Sequence, residues 1–249
     1  MRFIVNADDL GASPAVNESI FGLMESGGIS SATILANANG FPAAASRTRE
    51  FPHCSFGVHL NASEHKPLTN SPGLRPILDE SGAFAGNRLR EVKITASLRT
   101  ALFQEWCAQV ERVQGAGVPI SHLDSHHHMH TVAGIFPVLK QVQRRFGIRK
   151  VRQTMNIYHP TAPASKKLLA AKALWSLALR NFYATKTTDA FTSLYIFVEA
   201  AKTLRSVPEF VELMVHPGDE YFALETEILG RDWWCDLPFP ATMMSYNEL

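Results

Sequence analysis

The chain has 249 residues, of which 46% are hydrophobic, enough for one large domain with a sizeable core. Its 24 basic and 23 acidic residues leave a formal net charge of +1, which gives no reason to expect a nucleic-acid partner. The three cysteines form no CxxC pair, and no run reaches the ~18 apolar residues of a membrane span. The opening MRFIV is too short for a secretory leader, so we expect a cytoplasmic protein.

Short β-like runs alternate with helical stretches along the chain. Strands are predicted over 3–7, 31–37, 55–61, 119–125, 149–154, 190–198 and 211–216. Helices are predicted from Ser13-Pro14 to Gly27-Gly28 and over 41–50, 96–114, 134–147 and 165–184. Residues 62–92 are rich in proline and glycine, and we expect them to form a long loop of the kind that is usually functional or mobile.

Strands that alternate with helices imply a parallel sheet, because parallel neighbours need long crossover connections. Seven such units in 249 residues predict a single α/β domain over 1–249, a TIM-barrel-like (β/α) barrel with about seven parallel strands. An open doubly wound sheet is the alternative. Against it, the stretch NADDLGASP after the first strand contains neither GxGxxG nor GxxxxGK.

Polar side chains stand at the ends of four predicted strands, where an α/β barrel builds its active site. These residues are Asp8, Asp9, His59, Asp124, His126 and His216. The tract SHLDSHHHMH (121–130) begins at one of these strand ends and holds five histidines. Adjacent Asp8 and Asp9 can both approach a site only if the strand ends there and the chain turns.

One carboxylate and two imidazoles from separate strands suit a divalent cation with open positions for water and substrate. Other metal and nucleophile motifs are missing: the sequence contains no HExxH, no HxE joined to PCxxC, and no GxSxG. The strand-end residues therefore predict a metal site. We expect His127, His128 and His130 to support the metal ligands or to face the substrate.

The chain resembles the YdjC-like carbohydrate deacetylases, a family that includes deacetylases of chitooligosaccharides and of glycolipids that carry N-acetylglucosamine. The matching stretches occur in the family's order and span most of the chain. They are IVNADDLGASPAVN (4–17), GVHLN (57–61), HLDSHHHMH (122–130), GIRKVR (147–152), TTDAF (187–191) and ELMVHPG (212–218).

The resemblance implies a TIM-barrel-like fold and metal-dependent removal of an acetyl group from an N-acetylated sugar. Asp9, His59 and His126 would hold one divalent cation, Mg²⁺ or alternatively Zn²⁺. Asp8 would be the general base and His216 the general acid, with Arg152 and Asp189 orienting them. Residues 62–92 and the tail GRDWWCDLPFPATMM depart from the family pattern, and we expect both to shape the sugar pocket.

Two other functions remain open at this point. A metal-dependent sugar isomerase or phosphoesterase could use the same barrel, although phosphate recognition would need clustered basic residues or a glycine-rich nest. A non-catalytic sugar-binding module could retain the metal site, although binding alone would not need both Asp8 and His216. We expect the protein to be a homo-oligomer, such as a dimer, or a monomer.

The predicted helix 165–184 places a broad apolar face beside basic side chains. Leu168, Ala171, Trp175, Leu179 and Phe182 fall at helical spacing on that face, and Lys166, Lys167, Lys172 and Arg180 surround it. Such a helix can simply pack on the barrel. It can also make peripheral contact with an anionic membrane that carries an acetylated glycolipid.

Overall fold

The computed structural model describes the whole chain, residues 1–249. Its strands are β1 (Arg2–Leu10), β2 (Ser31–Ile34), β3 (Ser55–Leu60), β4 (Ile120–Ser125), β5 (Ala190–Ser193), β6 (Phe210–Val215) and β7 (Thr242–Met243). Its helices are α1 (Pro14–Glu25), α2 (Phe41–Arg47), α3 (Arg88–Glu91), α4 (Ala96–Gly115), α5 (Phe136–Phe146), α6 (Lys166–Asn181), α7 (Leu194–Ala201) and α8 (Ala223–Leu229).

The strands form one sheet in the order β4-β3-β2-β1-β6-β5, and β7 pairs with the beginning of β1. Every strand pair is parallel. All residues of β2, β3 and β5 are buried, as expected for a parallel sheet that is covered on both faces. The predicted fold class, an α/β barrel of about seven parallel strands, is confirmed.

The gap between β4 and β5 is bridged by an irregular segment. Val151 pairs with Leu123 of β4, and Lys150 pairs with Lys186, both in parallel. The predicted strand 149–154 is therefore wrong in extent, because only Lys150 and Val151 form bridges, one to Lys186 and one to Leu123, and no continuous ladder forms. The barrel is closed on this side by single bridges rather than by a full strand.

The prediction of a strand over 190–198 is also wrong in its second half. The strand ends at Ser193, whose hydroxyl accepts a hydrogen bond from the backbone N–H of Ile196 at 3.5 Å and so begins α7. A short apolar run does not by itself distinguish a buried strand from a buried helix. The predicted loop 62–92 in turn contains a 3₁₀ segment, Pro72–Ile77, and the short helix α3.

The C-terminal tail lies at the opposite end of the barrel from the strand ends that carry the polar residues. Thr242 pairs with Arg2, the first residue of β1, and Trp233 packs 5.2 Å from the Phe3 ring. The ring of Tyr246 stacks on His122 at 3.6 Å. The expectation that the tail shapes the sugar pocket is therefore wrong. It packs instead against the base of the barrel.

Helix α6 does not present the single apolar face that the sequence predicts. Leu179 is buried, and the ring of Trp175 lies 5.9 Å from the ring of Phe136, so this side packs on the barrel. Leu174 and Leu177 point the other way and are 68% and 58% exposed. The helix is apolar on both sides because its sequence holds few polar residues. No helix of the protein is both long and apolar enough to cross a membrane.

Candidate metal centre and catalytic cavity

The end of β1 delivers two adjacent carboxylates to one site by breaking the regular strand. The pairing of β1 with β2 shifts register between Ala7 and Leu10, and Asp9 adopts a positive φ of 66°. This left-handed conformation is uncommon outside glycine, although aspartate tolerates it better than most residues. The irregularity turns Asp9 so that it reaches the same cavity as Asp8.

Asp9, His59 and His126 converge from the ends of β1, β3 and β4. Asp9 Oδ1 lies 3.3 Å from His59 Nε2 and 2.8 Å from His126 Nδ1. Asp9 Oδ1 is nevertheless buried without a hydrogen-bond partner, because neither ring nitrogen approaches it with suitable geometry. A buried acceptor left in this way is costly. Three donor atoms that surround a common point, one of them unsatisfied, fit a divalent cation.

Carboxylates also lie behind the two imidazoles. His59 Nδ1 is hydrogen-bonded to Asp124 Oδ1 at 2.7 Å, whereas His126 Nε2 is 3.3 Å from Glu64 Oε2 without hydrogen-bond geometry. Metal-binding histidines usually give their second nitrogen to such a partner, which fixes the ring orientation. Burial lowers the pKa of His59, but Asp124 and Asp8 outweigh this effect and raise it to about 10. A cation would therefore compete with a proton for the ring.

Arg152 lies beneath the site, fully buried, and binds three acids. Its Nη1 and Nη2 donate to the two oxygens of Asp8 at 2.7 and 2.6 Å, and its Nε donates to Glu212 at 2.7 Å. Its Nη1 is also 2.8 Å from Asp124. Burial would raise the pKa of Asp8, but Arg152 and His59 more than offset this and hold it well below its ordinary value. Asp8 is therefore ionised at neutral pH.

His216 follows β6 and lines the same cavity as Asp9, His59 and His126. Its backbone N–H donates to Glu225 Oε2 at 2.9 Å, and its Nδ1 lies 3.7 Å from the same oxygen. Phe222 stacks on the ring at 4.2 Å. Burial lowers the pKa of His216, but the carboxylates of Glu225, Asp8 and Asp9 raise it above the ordinary value. The ring is thus biased towards its protonated form.

The other histidines of the tract have different surroundings. His127 Nδ1 is 3.1 Å from Ser63 Oγ, and His130 is buried with its Nδ1 2.6 Å from Ser125 Oγ. His128 lines the cavity, and its Nδ1 is buried without a partner. Burial and the charge of Arg152 lower the pKa of His128 to about 3, so the ring is neutral.

Asp189 does not belong to the site, contrary to its predicted orienting role. Its carboxylate accepts the backbone N–H of Phe210 at 3.1 Å and lies 3.7 Å from Arg180, and it does not line the cavity. Its position at the beginning of β5 places it at the wrong end of the barrel. Glu225 occupies the place beside His216 instead.

These groups share one open cavity of about 810 Å³. Its wall includes Asp8, Asp9, His59, His126, His128 and His216, together with Glu64 and Asn87 from the region 62–92. That region therefore contributes to the pocket as expected. The same cavity therefore holds an ionised carboxylate, a protonatable imidazole and three side chains that could bind a cation. These groups can together hydrolyse a carbonyl compound.

The chain is similar to proteins named carbohydrate deacetylase. The chain is 30% identical over 232 residues to a carbohydrate deacetylase of Geobacillus stearothermophilus, covering 91% of this chain and 87% of that protein. It is 29% identical over 224 residues to a carbohydrate deacetylase of Vibrio campbellii, covering 88% and 79% of the two chains.

A solved structure shares the fold over nearly the whole length. It is an Enterococcus faecalis V583 protein described as a candidate cellobiose-phosphate cleavage protein, with a TM-score of 0.71 and 21% identity, covering 99% of this chain and 98% of that one. The sequence profile of the YdjC-like protein family matches residues 2–236, so the chain belongs to that family.

Proposed function

We propose that this protein is a metal-dependent carbohydrate deacetylase, a single catalytic domain that hydrolyses the acetamido group of an N-acetylated sugar. The observation that carries the proposal is the meeting of Asp9, His59 and His126 with Asp8 and His216 around one cavity. The relatives named carbohydrate deacetylase support the same activity.

Amide hydrolysis needs a base for water and an acid for the departing nitrogen. Asp8 is ionised and accepts a proton as the water oxygen bonds to the carbonyl carbon, while Arg152 keeps the carboxylate charged and in place. His216 donates a proton to the nitrogen as the carbon–nitrogen bond breaks, which releases acetate and a free amine. Glu225 raises the proton affinity of His216 and fixes its backbone.

Asp9, His59 and His126 would hold the cation, with Asp124 and Glu64 orienting the two rings. When bound, a divalent cation supplies Lewis acidity that polarises the amide carbonyl. We propose Mg²⁺ as the physiological ion, in line with the family resemblance. Zn²⁺ is the alternative, since two imidazoles also suit that ion.

The cavity chemistry favours deacetylation over phosphoester chemistry. No lysine or arginine lines the cavity, whereas five carboxylates do: Asp8, Asp9, Glu64, Asp219 and Glu220. A phosphate group would find no guanidinium or ammonium group on this wall to pair with, whereas a neutral acetamido sugar needs none. The lack of a lysine or arginine on the wall therefore favours deacetylation over a metal-dependent phosphoesterase or sugar-phosphate isomerase.

An acetate-release screen tests the proposed function. The metal-stripped protein is incubated with N-acetylglucosamine and its oligomers after addition of Mg²⁺, Zn²⁺ or no ion, and acetate is measured. We expect release only in the presence of a cation. Phosphate release from sugar phosphates, or aldose–ketose conversion, without acetate release would contradict the proposal. Sugar binding without any turnover would favour the non-catalytic sugar-binding alternative.

We also propose that the outer face of α6 contacts anionic membranes. Residues 159–188 contain five lysine and arginine residues and no acidic residue. The exposed Leu174 and Leu177 therefore lie in a segment whose charged side chains are all basic. Apolar faces bordered by basic side chains favour anionic interfaces. Like charges on two copies would repel each other, which disfavours a dimer through this face.

Vesicle co-sedimentation tests this surface. We expect the protein to sediment with phosphatidylserine-containing vesicles and not with neutral ones, and Leu174→Glu/Leu177→Glu to abolish the binding. Val207→Glu is the matched control, since Val207 is an exposed apolar residue (41%) outside α6. Absence of wild-type binding, or equal loss in the control, would rule out membrane contact through α6.

A further inference from the structure

A second group of metal-binding side chains lies just outside the inner trio, the name we give to Asp9, His59 and His126. It consists of Glu64, His126 and His127, whose ligand atoms all lie within 4.8 Å of one another. His126 Nε2 is 3.3 Å from Glu64 Oε2, and His127 Nε2 is 3.9 Å from Glu64 Oε1. Ligand atoms of a tetrahedral zinc site lie roughly 3.4 Å apart, so small side-chain movements would bring this outer group around an ion.

His126 belongs to both groups and turns a different ring nitrogen to each. Its Nδ1 is 2.8 Å from Asp9 Oδ1 of the inner trio, whereas its Nε2 faces Glu64. The His126 side chain is only 10% exposed, and its Nε2 is buried without a hydrogen-bond partner. A buried polar atom left without a partner is costly, so this nitrogen points to a ligand on the outer side of the ring.

The two groups differ in their access to solvent. In the inner trio, the His59 side chain is 2% exposed and that of Asp9 is 22% exposed. In the outer group, Glu64 is 50% exposed and His127 43%. All four side chains line the same open cavity. An ion that arrives from solvent can therefore exchange its bound water for Glu64 and His127 before it is buried in the inner trio.

The shared ring can complete only one of the two groups at a time. A neutral imidazole has a free lone pair on one nitrogen and a proton on the other. An ion on Nε2 leaves the proton on Nδ1, towards Asp9. When the ion moves to Nδ1, water removes that proton and returns one to Nε2, which then faces the Glu64 carboxylate. The inner trio is the final position, because an ion there also satisfies the buried Asp9 Oδ1.

We propose that Glu64, His126 and His127 form an outer cation site that takes a divalent ion from solvent and passes it to the inner trio. The inference rests on the proposed function and adds the route by which its metal site is filled. Two imidazoles and one carboxylate suit Zn²⁺, which serves as the probe. The outer site binds the ion more weakly than the inner trio, because water competes for its two exposed ligands.

Zinc binding to a protein with a disabled inner trio tests the outer site. In His59→Ala, equilibrium dialysis without sugar should show a weakly bound ion that appears only at raised Zn²⁺ concentration. Adding His127→Asn should weaken this binding by roughly tenfold or more, because one of three ligands is lost. Adding His128→Asn, the matched control, should leave the binding unchanged.

The control is matched in its backbone as well as in its side chain. His127 and His128 both have a positive φ, 50° and 53°, which asparagine tolerates. His128 lines the cavity but belongs to neither group of ligands. Asp9→Asn is the second background if His59→Ala does not fold. Equal zinc binding with and without His127 would overturn the outer site, and so would a lack of zinc binding in both backgrounds.

The rate of metal loading tests the passage to the inner trio. Metal-free protein is mixed with Zn²⁺ and a fluorescent zinc indicator in a stopped-flow instrument. His127→Asn should take up the ion several-fold more slowly than His128→Asn, with the same Kd at equilibrium. Equal rates would overturn the passage. A wild-type protein without an ion in the inner trio would contradict the proposed function, and zinc binding by His59→Ala would still test the outer site.

Discussion

Asp8→Asn is expected to lower kcat by roughly 10²–10⁴, the usual range for a general acid or base. Asparagine keeps the shape of the side chain but cannot accept the proton of water. Arg152 retains Glu212 and Asp124 as partners, so the fold should survive. Metal content should remain at the wild-type level. The measurements are steady-state kinetics of acetate release, metal analysis and a thermal melt of the same preparation.

His216→Ala should give a loss of similar size, because the departing nitrogen then lacks its acid. Glu225→Gln should have a smaller effect that depends on pH. Removing the carboxylate lowers the raised pKa of His216, so protonated His216 is lost at a lower pH as pH rises. The alkaline limb of the kcat profile should therefore move to lower pH. A near-normal kcat in His216→Ala would move the acid role to another histidine of the tract that lines the cavity.

Replacing any one of Asp9, His59 and His126 by alanine is expected to remove most of the bound metal and nearly all acetate release. Each residue supplies one of the three donor atoms of the group. Two remaining ligands would bind the ion weakly. The measurement is metal content after dialysis against a buffer that contains a fixed, low concentration of Mg²⁺ or Zn²⁺.

His65→Ala is the matched control for the metal variants. His65 lies near the site in sequence and, like Asp9, has a positive φ (59°), but it does not line the cavity. It should keep wild-type metal content. Glu64→Gln should weaken metal binding by roughly 10–100-fold, the effect typical of a carboxylate behind a ligating histidine. Unchanged metal content in all three alanine variants would refute the assignment.

The fold was predictable because its periodicity is strong and its strand ends are marked. Asp8-Asp9, His59, His126 and His216 each follow a short apolar run, and parallel strands bring such ends to one rim. Even the turn that Asp9 requires was foreseeable, because two neighbouring residues cannot share one face of a regular strand. The sequence did not show where strand pairing stops, as β5 and the segment near Val151 demonstrate.

The sequence pattern predicts the metal ligands better than the carboxylates that lie behind the histidines. Glu64 lies in a loop and Glu225 on a short helix, and neither position has a periodic pattern that would direct it towards a histidine. Asp189 lies in a stretch that matches the family, but it directly precedes β5 instead of following the end of a strand. Glu212 lies in the interior of β6, so its pairing with Arg152 depends on how the barrel closes.

The contacts of Arg152 make assembly of the proposed active site depend on closure of the barrel. One side chain joins acids from β1, β4 and β6, strands that are far apart in the chain and meet only when the barrel has closed. Until that moment Arg152 does not hold the Asp8 carboxylate in position, so we expect a partly assembled chain to be inactive. In a mutagenesis screen for activity, Arg152 variants would thus be inactive because they fold poorly. A site grafted onto another barrel would need the interior residues around Arg152 as well as the residues at the rim.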